Sequence, residues 1–253
     1  MVTAHAGSLD PYQLMAALGK RVIHPGGKRS TEELFALARM ESGQSVLEVG
    51  CGVGTTAIEA ARRFHVKVTA IDIDERMVAA TRRNVAEAGL AQQIEVVRGD
   101  IEQLPFPDAS FDCVLIEAVT MFTQRERSAH EAVRVCTPGG RVVDHEFIWR
   151  RPPSAEARRL FVDEVCPGIV FESAEEWRSL YEQAGLREIE VVTGPFAMMT
   201  PSGFIRDEGL NVFNVLRTGL LRSAYRRRLW WLMRKMLPAM RSLGYAVIGG
   251  TST

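Results

Sequence analysis

The sequence lacks any apolar run that could cross a membrane. Hydrophobic residues make up 46% of the 253-residue chain, but no uninterrupted apolar stretch approaches the roughly 20 residues that a membrane-spanning helix needs. The first residues, MVTAHAGSLDPYQ, lack the basic and apolar regions of a secretory signal peptide. We therefore expect a cytoplasmic protein whose length is ample for one buried core with a small elaboration.

Cysteine is scarce and shows no paired spacing. The four cysteines, Cys51, Cys113, Cys136 and Cys166, form no CxxC motif. This spacing argues against a disulfide framework and a structural zinc site, and it favours a reducing compartment. No visible cluster of ligand residues requires a metal, so we expect no metal site.

Acidic residues are absent from the last part of the chain. None follows Glu208, although the net charge of the whole chain is zero. The preceding part must therefore be acidic, and the last part basic. The basic residues after Glu208 are Arg217, Arg222, Arg226, Arg227, Arg228, Arg234, Lys235 and Arg241.

From residue 44 onward, strand patterns alternate with helix patterns, which predicts a mostly parallel sheet. The segment CTPGG, residues 136–140, is predicted to be a turn before the fifth strand, and residues 244–253 are predicted to pair antiparallel with a sixth strand. The predicted fold class is α/β, with a Rossmann-like, seven-stranded, mainly parallel sheet flanked by helices and an α-helical cap. The predicted parts are an N-terminal helical lid (1–43), a core (44–150), the end of the core (151–194), a helical cap insertion (195–243) and the last strand (244–253).

The segment VLEVGCGVGTT, residues 46–56, predicts a ligand-binding corner between the first strand and a helix. Glycines allow a ligand to approach the backbone, and the helix N-terminus favours an anionic group. The dinucleotide fingerprint requires G-x-G-x-x-G, whereas Gly50, Gly52 and Gly54 follow G-x-G-x-G, and Thr55 stands where that motif has glycine. A P-loop is excluded because no GK[ST] follows.

Two carboxylates follow the next strands. Asp72, in AIDID, can accept hydrogen bonds from both hydroxyls of a ribose, as dinucleotide enzymes also require. Asp100, in RGDIEQLPFPD, can accept from an exocyclic amine while Ile101 packs on the face of an adenine ring. Together these positions predict a ligand that contains adenosine.

In this order and spacing, VLEVGCGVG, AIDID, GDIEQLPFPDASFDCVL and TPGGRVV resemble class I S-adenosylmethionine (SAM)-dependent methyltransferases. The likeness covers about residues 44–150 and is strongest to the small-molecule branch that resembles ubiquinone/menaquinone-biosynthesis methyltransferases. The resemblance implies that SAM is the cofactor. It implies a methionine-binding set of Glu48, Gly50, Cys51, Gly52 and Gly54, a ribose contact at Asp72, adenine contacts at Ile73, Asp100 and Ile101, and a cofactor or substrate contact at Glu117.

The segment VIHPGGKRSTEEL allows two interpretations. It is either a connector or part of a lid, in which Tyr12, His24, Gly26 and Gly27 fold over the cofactor and exclude water. Ser30 or Thr31 is expected to cap the following helix.

The catalytic candidates are Glu117, His145 and Glu146, at the ends of the fourth and fifth strands. Methyl transfer is an in-line displacement in which alignment supplies much of the catalysis, and a base is needed only for a protonated acceptor. His145 is either that base or a packing residue of the strand.

We therefore predict methyl transfer from SAM to a small molecule, possibly anionic or lipid-like. A nucleotide-dependent oxidoreductase and a non-catalytic SAM-binding protein are the alternatives. The basic segment 220–237 is predicted to be helical, with an apolar side that includes Leu220, Leu221, Leu232 and Leu237. It is a cap with its arginines in water, a lid for an anionic acceptor, or a helix on a membrane surface. Nucleic-acid binding is not expected, because the pI is about 7.0 and the chain has one basic stripe. The acceptor atom and the oligomeric state stay open.

Overall fold

The computed structural model describes residues 9–253, so the first eight residues of the predicted lid lie outside the described part. The strands are β1 (Ser45–Val49), β2 (Lys67–Asp72), β3 (Ile94–Arg98), β4 (Phe111–Glu117), β5 (Cys136–Trp149), β6 (Leu186–Pro195) and β7 (Leu243–Ser252). The helices are α1 (Pro11–Ala17), α2 (Lys28–Ala38), α3 (Thr55–Phe64), α4 (Glu75–Glu87), α5 (Arg125–Val135), α6 (Ala155–Arg159), α7 (Ala174–Ala184), α8 (Pro201–Glu208), α9 (Asn211–Leu221) and α10 (Ser223–Met236).

The seven strands form one sheet in the order β3-β2-β1-β4-β5-β7-β6. Strands β1 to β5 pair in parallel, whereas β7 runs antiparallel to both β5 and β6. The predicted fold class and the antiparallel pairing of the last strand are therefore confirmed. The order reverses at β1, and the crevice at such a reversal, beyond the carboxyl ends of the strands, is where open α/β sheets bind ligands.

The predicted turn at residues 136–140 is wrong, because these residues are the first part of β5. Phe111 pairs with Cys136, and the register then shifts so that Cys113 pairs with Arg141. The extra residues form a bulge in β5, in which Gly139 adopts a φ of 82°.

Helices cover both faces of the sheet, because the central strands are apolar on both sides. In β4, Cys113 and Leu115 pack with helices α2, α3 and α4, while Val114 and Ile116 pack with α5 and α7. This alternation follows from the two-residue repeat of a strand. Helix α7 has the predicted N-cap, Ser173, which forms a capping box with Glu176.

The N-terminal region divides into two parts. Helix α2 packs on β4, β5 and β7 and buries Leu34 and Phe35, so it belongs to the core. The N-terminal residues that contribute to the cavity described below are Asp10, the start of α1, residues 21–24, Lys28 and Thr31. Helix α2 begins at Lys28 with Gly27 as its N-cap, so the expected cap at Ser30 or Thr31 is wrong.

The insertion between β6 and β7 contains helices α8, α9 and α10, as the sequence predicted. The expected single helix over residues 220–237 is interrupted at Arg222, which has an extended backbone (φ −100°, ψ 108°). Leu232 is buried, but Leu220, Leu221 and Leu237 are exposed like the arginines, so the expected apolar side is only partly buried. Within residues 9–253 no helix is both long and apolar enough to span a bilayer.

Candidate active site

A cavity of about 570 Å³ lies beyond the carboxyl ends of β1, β2, β3 and β4. The residues that follow these strands form one wall, and helix α1, residues 21–28 and residues 165–167 form the other. Of the predicted site residues, those that line the cavity are Tyr12, His24, Glu48, Gly50, Cys51, Gly52, Asp72, Ile73, Asp100, Ile101 and Glu117. Those outside its lining are Gly26, Gly27, Gly54, His145 and Glu146.

The three glycines of the corner all have positive φ angles but serve different purposes. A Cβ atom on Gly50 would lie 2.2 Å from Val119 Cγ2, and one on Gly54 would lie 2.7 Å from Thr81 Cγ2. The corresponding atom on Gly52 would have no neighbour closer than 3.9 Å. Gly50 and Gly54 therefore let neighbouring chain segments pack, while Gly52 leaves room at the cavity surface.

The thiol of Cys51 is small, buried and neutral. Its Sγ lies 3.5 Å from Thr81 Oγ1, and burial raises the pKa of the thiol, with a smaller contribution from Glu48. A raised pKa removes the thiolate that nucleophilic chemistry needs. Cys51 is therefore a lining residue and not a nucleophile.

The carboxylate of Asp72 connects the glycine corner to the end of β2. Its Oδ2 accepts a hydrogen bond from the backbone N–H of Gly52 (3.0 Å), and its Oδ1 accepts one from that of Asp74 (2.9 Å). Burial raises the pKa of Asp72, and these two hydrogen bonds oppose the shift. Because a carboxylate oxygen can accept more than one hydrogen bond, both oxygens can still accept from a ligand.

The ends of β2 and β3 each contribute one acidic and one apolar side chain to the cavity lining: Asp72 with Ile73, and Asp100 with Ile101. Ile73 is 61% exposed, and Ile101 is buried. Asp100 Oδ1 accepts the N–H of Glu102 (2.9 Å), which fixes the turn after β3. This arrangement provides two apolar surfaces and one acceptor, which suits a planar ring with an amino group.

The lining residue His24 is held by two hydroxyl groups of helix α2. Ser30 Oγ lies 3.2 Å from His24 Nδ1, and Thr31 Oγ1 lies 3.1 Å from His24 Nε2. Gly26 and Gly27 do not face the cavity: a Cβ on Gly26 would lie 2.3 Å from Ser30 Oγ, and one on Gly27 would meet Asp207. These glycines therefore allow tight packing behind the histidine.

Two buried carboxylates lie side by side near His24. Glu117 Oε2 accepts a hydrogen bond from Thr56 Oγ1 (2.6 Å), while Glu48 Oε2 has no hydrogen-bond partner. Burial raises the pKa of Glu48 well above its usual value, and the charges of Glu117 and Asp72 add to this effect. A cation bound between them would relieve the repulsion.

His145 and Glu146 lie in β5 and are fully buried. Glu146 Oε1 accepts the backbone N–H groups of Val119 (3.0 Å) and Thr120 (2.7 Å), so Glu146 positions the loop after β4. His145 stacks edge-to-face on the rings of His24 and Tyr245. Neither side chain reaches the cavity surface, so the expectation that they act directly on an acceptor does not fit their positions.

The sequence analysis missed several lining residues. Thr31 and Thr56 have no motif of their own and reach the site from the first turns of two helices. Phe122 and residues 165–167 come from segments distant in sequence. The structure also brings donor atoms of His24, Glu117 and His145 within 4.8 Å of one another, a grouping that no local sequence pattern indicates.

Comparison with known proteins places this geometry in a family. A methyltransferase domain family matches residues 46–140. The ubiquinone/menaquinone biosynthesis C-methyltransferase UbiE of Escherichia fergusonii is 30% identical over 213 residues, which cover 81% of each chain.

The chain belongs to the SAM-dependent methyltransferases.

Two further matches show relatedness in sequence and in fold. An uncharacterized protein of Haemophilus influenzae is 30% identical over 202 residues, 79% of this chain and 80% of its own. Among solved structures, the [4+2]-cyclase SpnF has a TM-score of 0.73 at 19% identity and covers 98% of this chain and 99% of its own. At that identity the likeness shows the fold alone. Family membership sets aside the oxidoreductase alternative.

The residues of the methyltransferase fit SAM, its methyl donor. The space over Gly52 accommodates a ligand close to the backbone. Glu48 Oε2 is buried without a hydrogen-bond partner, so a positively charged group of the ligand would be favourable beside it. Asp72, Asp100 and Ile101 line the same cavity and have the chemistry that a ribose and an adenine require.

Proposed function

We propose that this methyltransferase acts on a neutral, largely apolar small molecule. The apolar part of the cavity lining includes Tyr12, Ile23, Phe122, Val165 and Pro167, and this lining is the observation that carries the proposal. The acidic side chains that line the same cavity are Asp10, Glu48, Glu59, Asp72, Asp74, Asp100, Glu102 and Glu117, whereas the basic ones are Arg21 and Lys28. Such an excess of carboxylates would repel an anionic acceptor.

None of the arginines of the insertion lines the cavity, which argues against the lid that attracts an anionic acceptor. The roles that we assign to the cofactor contacts follow the sequence prediction. Asp72 accepts from the ribose hydroxyls, Asp100 and the isoleucines at positions 73 and 101 hold the adenine, and Gly50 to Gly52 with Glu48 surround the methionine part.

In the proposed reaction, an electron pair of the acceptor forms a bond to the methyl carbon while the bond from that carbon to sulfur breaks, which leaves S-adenosylhomocysteine (SAH). SAM supplies an activated methyl group as a sulfonium. The protein holds the two reactants in line, and well-oriented reactions gain roughly 7–11 kcal/mol in this way. Tyr12 and Phe122 are in edge-to-face contact at 5.8 Å, and their rings add apolar surface to the cavity lining.

The cofactor assignment is tested by SAH affinity. We expect Asp72→Asn to weaken SAH binding at least tenfold in calorimetry, because the neutral amide loses the charge-assisted hydrogen bonds to the ribose. Asp108→Asn is the matched control, since Asp108 is exposed and contacts Arg134 away from the cavity. Equal SAH affinity in wild type and Asp72→Asn would remove the ribose assignment.

The acceptor class is tested by turnover. Neutral aromatic or aliphatic alcohols and amines are compared with analogues that carry an added carboxylate, and SAH release is measured. We expect turnover with neutral compounds and a large loss with the carboxylated ones. A preference for the carboxylated compounds would contradict the proposal, and SAH binding without turnover of any acceptor would favour the non-catalytic alternative.

We also propose that the insertion binds an anionic membrane surface. We define the insertion face as the exposed side chains Phe213, Leu216, Leu220, Trp230, Met233 and Leu237 with Arg217, Arg226, Arg227 and Arg234. In α10, Trp230, Met233 and Leu237 share one side at spacings of three and four residues, and Arg234 lies over the Trp230 ring. In interfacial helices, exposed Trp, Phe and Leu enter the boundary between headgroups and acyl chains while Lys and Arg attract anionic lipids, and the insertion face has both kinds of residue. All four cysteines are free, which supports the proposed cytoplasmic location, where the leaflet is anionic.

Vesicle sedimentation tests this contact. We expect binding to phosphatidylglycerol vesicles, little binding to phosphatidylcholine vesicles, and loss of binding in the double variant Trp230→Ser, Leu237→Ser. SAH affinity in that variant should stay unchanged because the insertion face is outside the cavity. If light scattering instead finds a dimer that the double variant disrupts, the face is an interface between two copies of the chain.

A further inference from the structure

Three side chains of types that bind metal ions lie close together at the wall of the cavity. His24 and Glu117 line the cavity, and His145 lies behind them. Glu117 ends β4, His145 is its paired neighbour in β5, and His24 reaches them from the loop before α2. Glu117 Oε1 lies 3.6 Å from His24 Nε2 and 3.8 Å from His145 Nδ1. The three side chains are at most 8% exposed, so water does not easily satisfy their polar atoms.

His145 is the member of this cluster that most needs a partner. Its ring is fully buried, and neither Nδ1 nor Nε2 has a hydrogen-bond partner. In one tautomer of the imidazole, Nδ1 has a free electron pair and no hydrogen-bond donor that would use it. Buried polar groups in folded proteins are nearly always paired, and a neutral imidazole is the form that binds metal ions.

The other two members are held in place by hydroxyl groups. Ser30 Oγ, 3.2 Å from His24 Nδ1, is positioned to fix the ring with Nε2 toward Glu117. Thr56 Oγ1 donates to Glu117 Oε2 at 2.6 Å. Glu117 Oε1 accepts a long hydrogen bond from Thr31 Oγ1 (3.5 Å), which the ion would replace, and it lies within 4 Å of a nitrogen of each histidine. Such outer contacts orient the ligands in metal sites.

We propose that His24 Nε2, His145 Nδ1 and Glu117 Oε1 bind one divalent first-row transition-metal ion, such as Zn²⁺ or Co²⁺. Two ligand atoms at about 2.1 Å from a tetrahedral ion are about 3.4 Å apart, so the two separations from Glu117 need to close by only a few tenths of an ångström. The ion would replace the contact of Thr31 Oγ1 with His24 Nε2. Two imidazoles and one carboxylate form a ligand set that suits these ions.

The position of the cluster links the ion to the reaction, and this part rests on the proposed function. His24 and Glu117 both line the cavity, so a fourth coordination position would face the acceptor. A hydroxyl group of the acceptor bound there would have a lowered pKa and would release its proton to water before methylation. The site would thereby favour oxygen acceptors that are neutral in solution.

Metal binding is tested with the full-length protein after treatment with a chelator. In calorimetric titrations with Co²⁺ and Zn²⁺, we expect one ion per chain for wild type and at least tenfold weaker binding for His145→Gln and Glu117→Gln. His130→Gln is the matched control, because His130 is exposed on α5, and it should bind like wild type. Thermal stabilisation by SAH verifies that each variant is folded.

X-ray absorption of the wild-type Zn²⁺ complex needs no variant. We expect only nitrogen and oxygen ligands, including two imidazoles. The proposal is overturned if wild type binds no ion, if His145→Gln and Glu117→Gln both bind it as wild type does, or if sulfur ligands are found. SAH binding without ion binding would overturn this proposal alone, whereas ion binding without SAH binding would support it and overturn the proposed function.

Discussion

Eight carboxylates line the cavity at the carboxyl ends of the strands, a region that we call the sheet edge. By contrast, seven exposed arginines lie between residues 206 and 241, with no exposed acid among them. The apolar side chains differ in the same way. Among the described residues, nine of the eleven exposed large apolar side chains lie in the segment 205–237, and the other two, Ile73 and Phe122, line the cavity. At the sheet edge, the acidic and apolar side chains therefore face a cavity, whereas in the insertion the basic and apolar side chains face the solvent.

Acidic and apolar side chains therefore have different roles in the two regions. At the sheet edge, carboxylates accept backbone hydrogen bonds, and apolar side chains face a ligand. In the insertion, the only acids, Asp207 and Glu208, are buried and bind the N-terminal segment. The exposed arginines of the insertion form no salt bridge within residues 9–253. Four changes test this difference, from the largest expected effect to the smallest.

The largest effect is expected where the two regions meet. Glu208 Oε1 accepts the backbone N–H groups of Arg21 (2.9 Å) and Val22 (3.3 Å) and lies 3.4 Å from the buried Lys20 Nζ. Glu208→Ala leaves Lys20 without this partner and should lower the free energy of unfolding by about 3–5 kcal/mol in urea denaturation. It should also weaken SAH binding, because residues 21–24 line the cavity.

Glu32→Ala is the control for this change. Glu32 forms a salt bridge with Arg63, and the two side chains are 56% and 41% exposed, so its removal should lower the free energy of unfolding by no more than about 1 kcal/mol. Similar losses in both variants would show that the buried contacts of Glu208 do not join the insertion to the N-terminal segment.

The second test compares two leucines at the same end of the insertion. Leu232 is 1% exposed and Leu237 is 65% exposed. Leu232→Ala should lower the free energy of unfolding by about 2–5 kcal/mol, whereas Leu237→Ala should change it by less than about 0.5 kcal/mol. Urea denaturation measures both. A large loss from Leu237→Ala would mean that a second copy of the chain covers the insertion face in solution.

The two regions also differ in how much the sequence alone could predict. The cavity wall follows from local motifs: a glycine corner, Asp72 and Asp100-Ile101 each come directly after a strand, and parallel topology brings such residues together. The convergence of His24, Glu117 and His145 depends on strand pairing and on the packing of α2, which no local pattern specifies. In the insertion, helical spacing predicted a buried side for Leu220 and Leu237, but the break at Arg222 and the small area of contact with the core left both exposed.

The third test concerns buried acids without a cation. Burial raises the pKa of Asp144 from its ordinary value of 3.8 to about 6, so between these values the folded protein holds a proton that the unfolded chain has released. Stability should therefore fall as the pH rises from about 4 to about 6, by at most about 1.4 kcal/mol per pH unit from this group. Asp144→Asn should flatten this slope in urea denaturation at several pH values.

Asp108→Asn is the control for the slope, because Asp108 is exposed and should keep the dependence of the wild type. Burial also raises the pKa of Glu146, so Asp144→Asn should reduce the slope without abolishing it. An unchanged slope in Asp144→Asn would mean that Asp144 is ionised in the folded protein despite its burial, and the contrast with the cation-paired acids of the insertion would then disappear.

The smallest effect is expected at Arg222. This residue lies at the N-terminus of a helix, where a positive charge is unfavourable. Arg222 is the N-cap of α10, and no side chain caps this end. Arg222→Asp should raise the free energy of unfolding by about 0.5–1 kcal/mol, because aspartate caps the first turn and interacts favourably with the helix dipole. Arg227→Asp changes the charge equally without forming a cap, so it should not stabilise the protein. If the arginines serve a membrane surface, both variants should bind anionic vesicles more weakly, and only Arg222→Asp should combine weaker binding with greater stability. Unchanged vesicle binding in both would mean that the outward charge of the insertion has no part in docking.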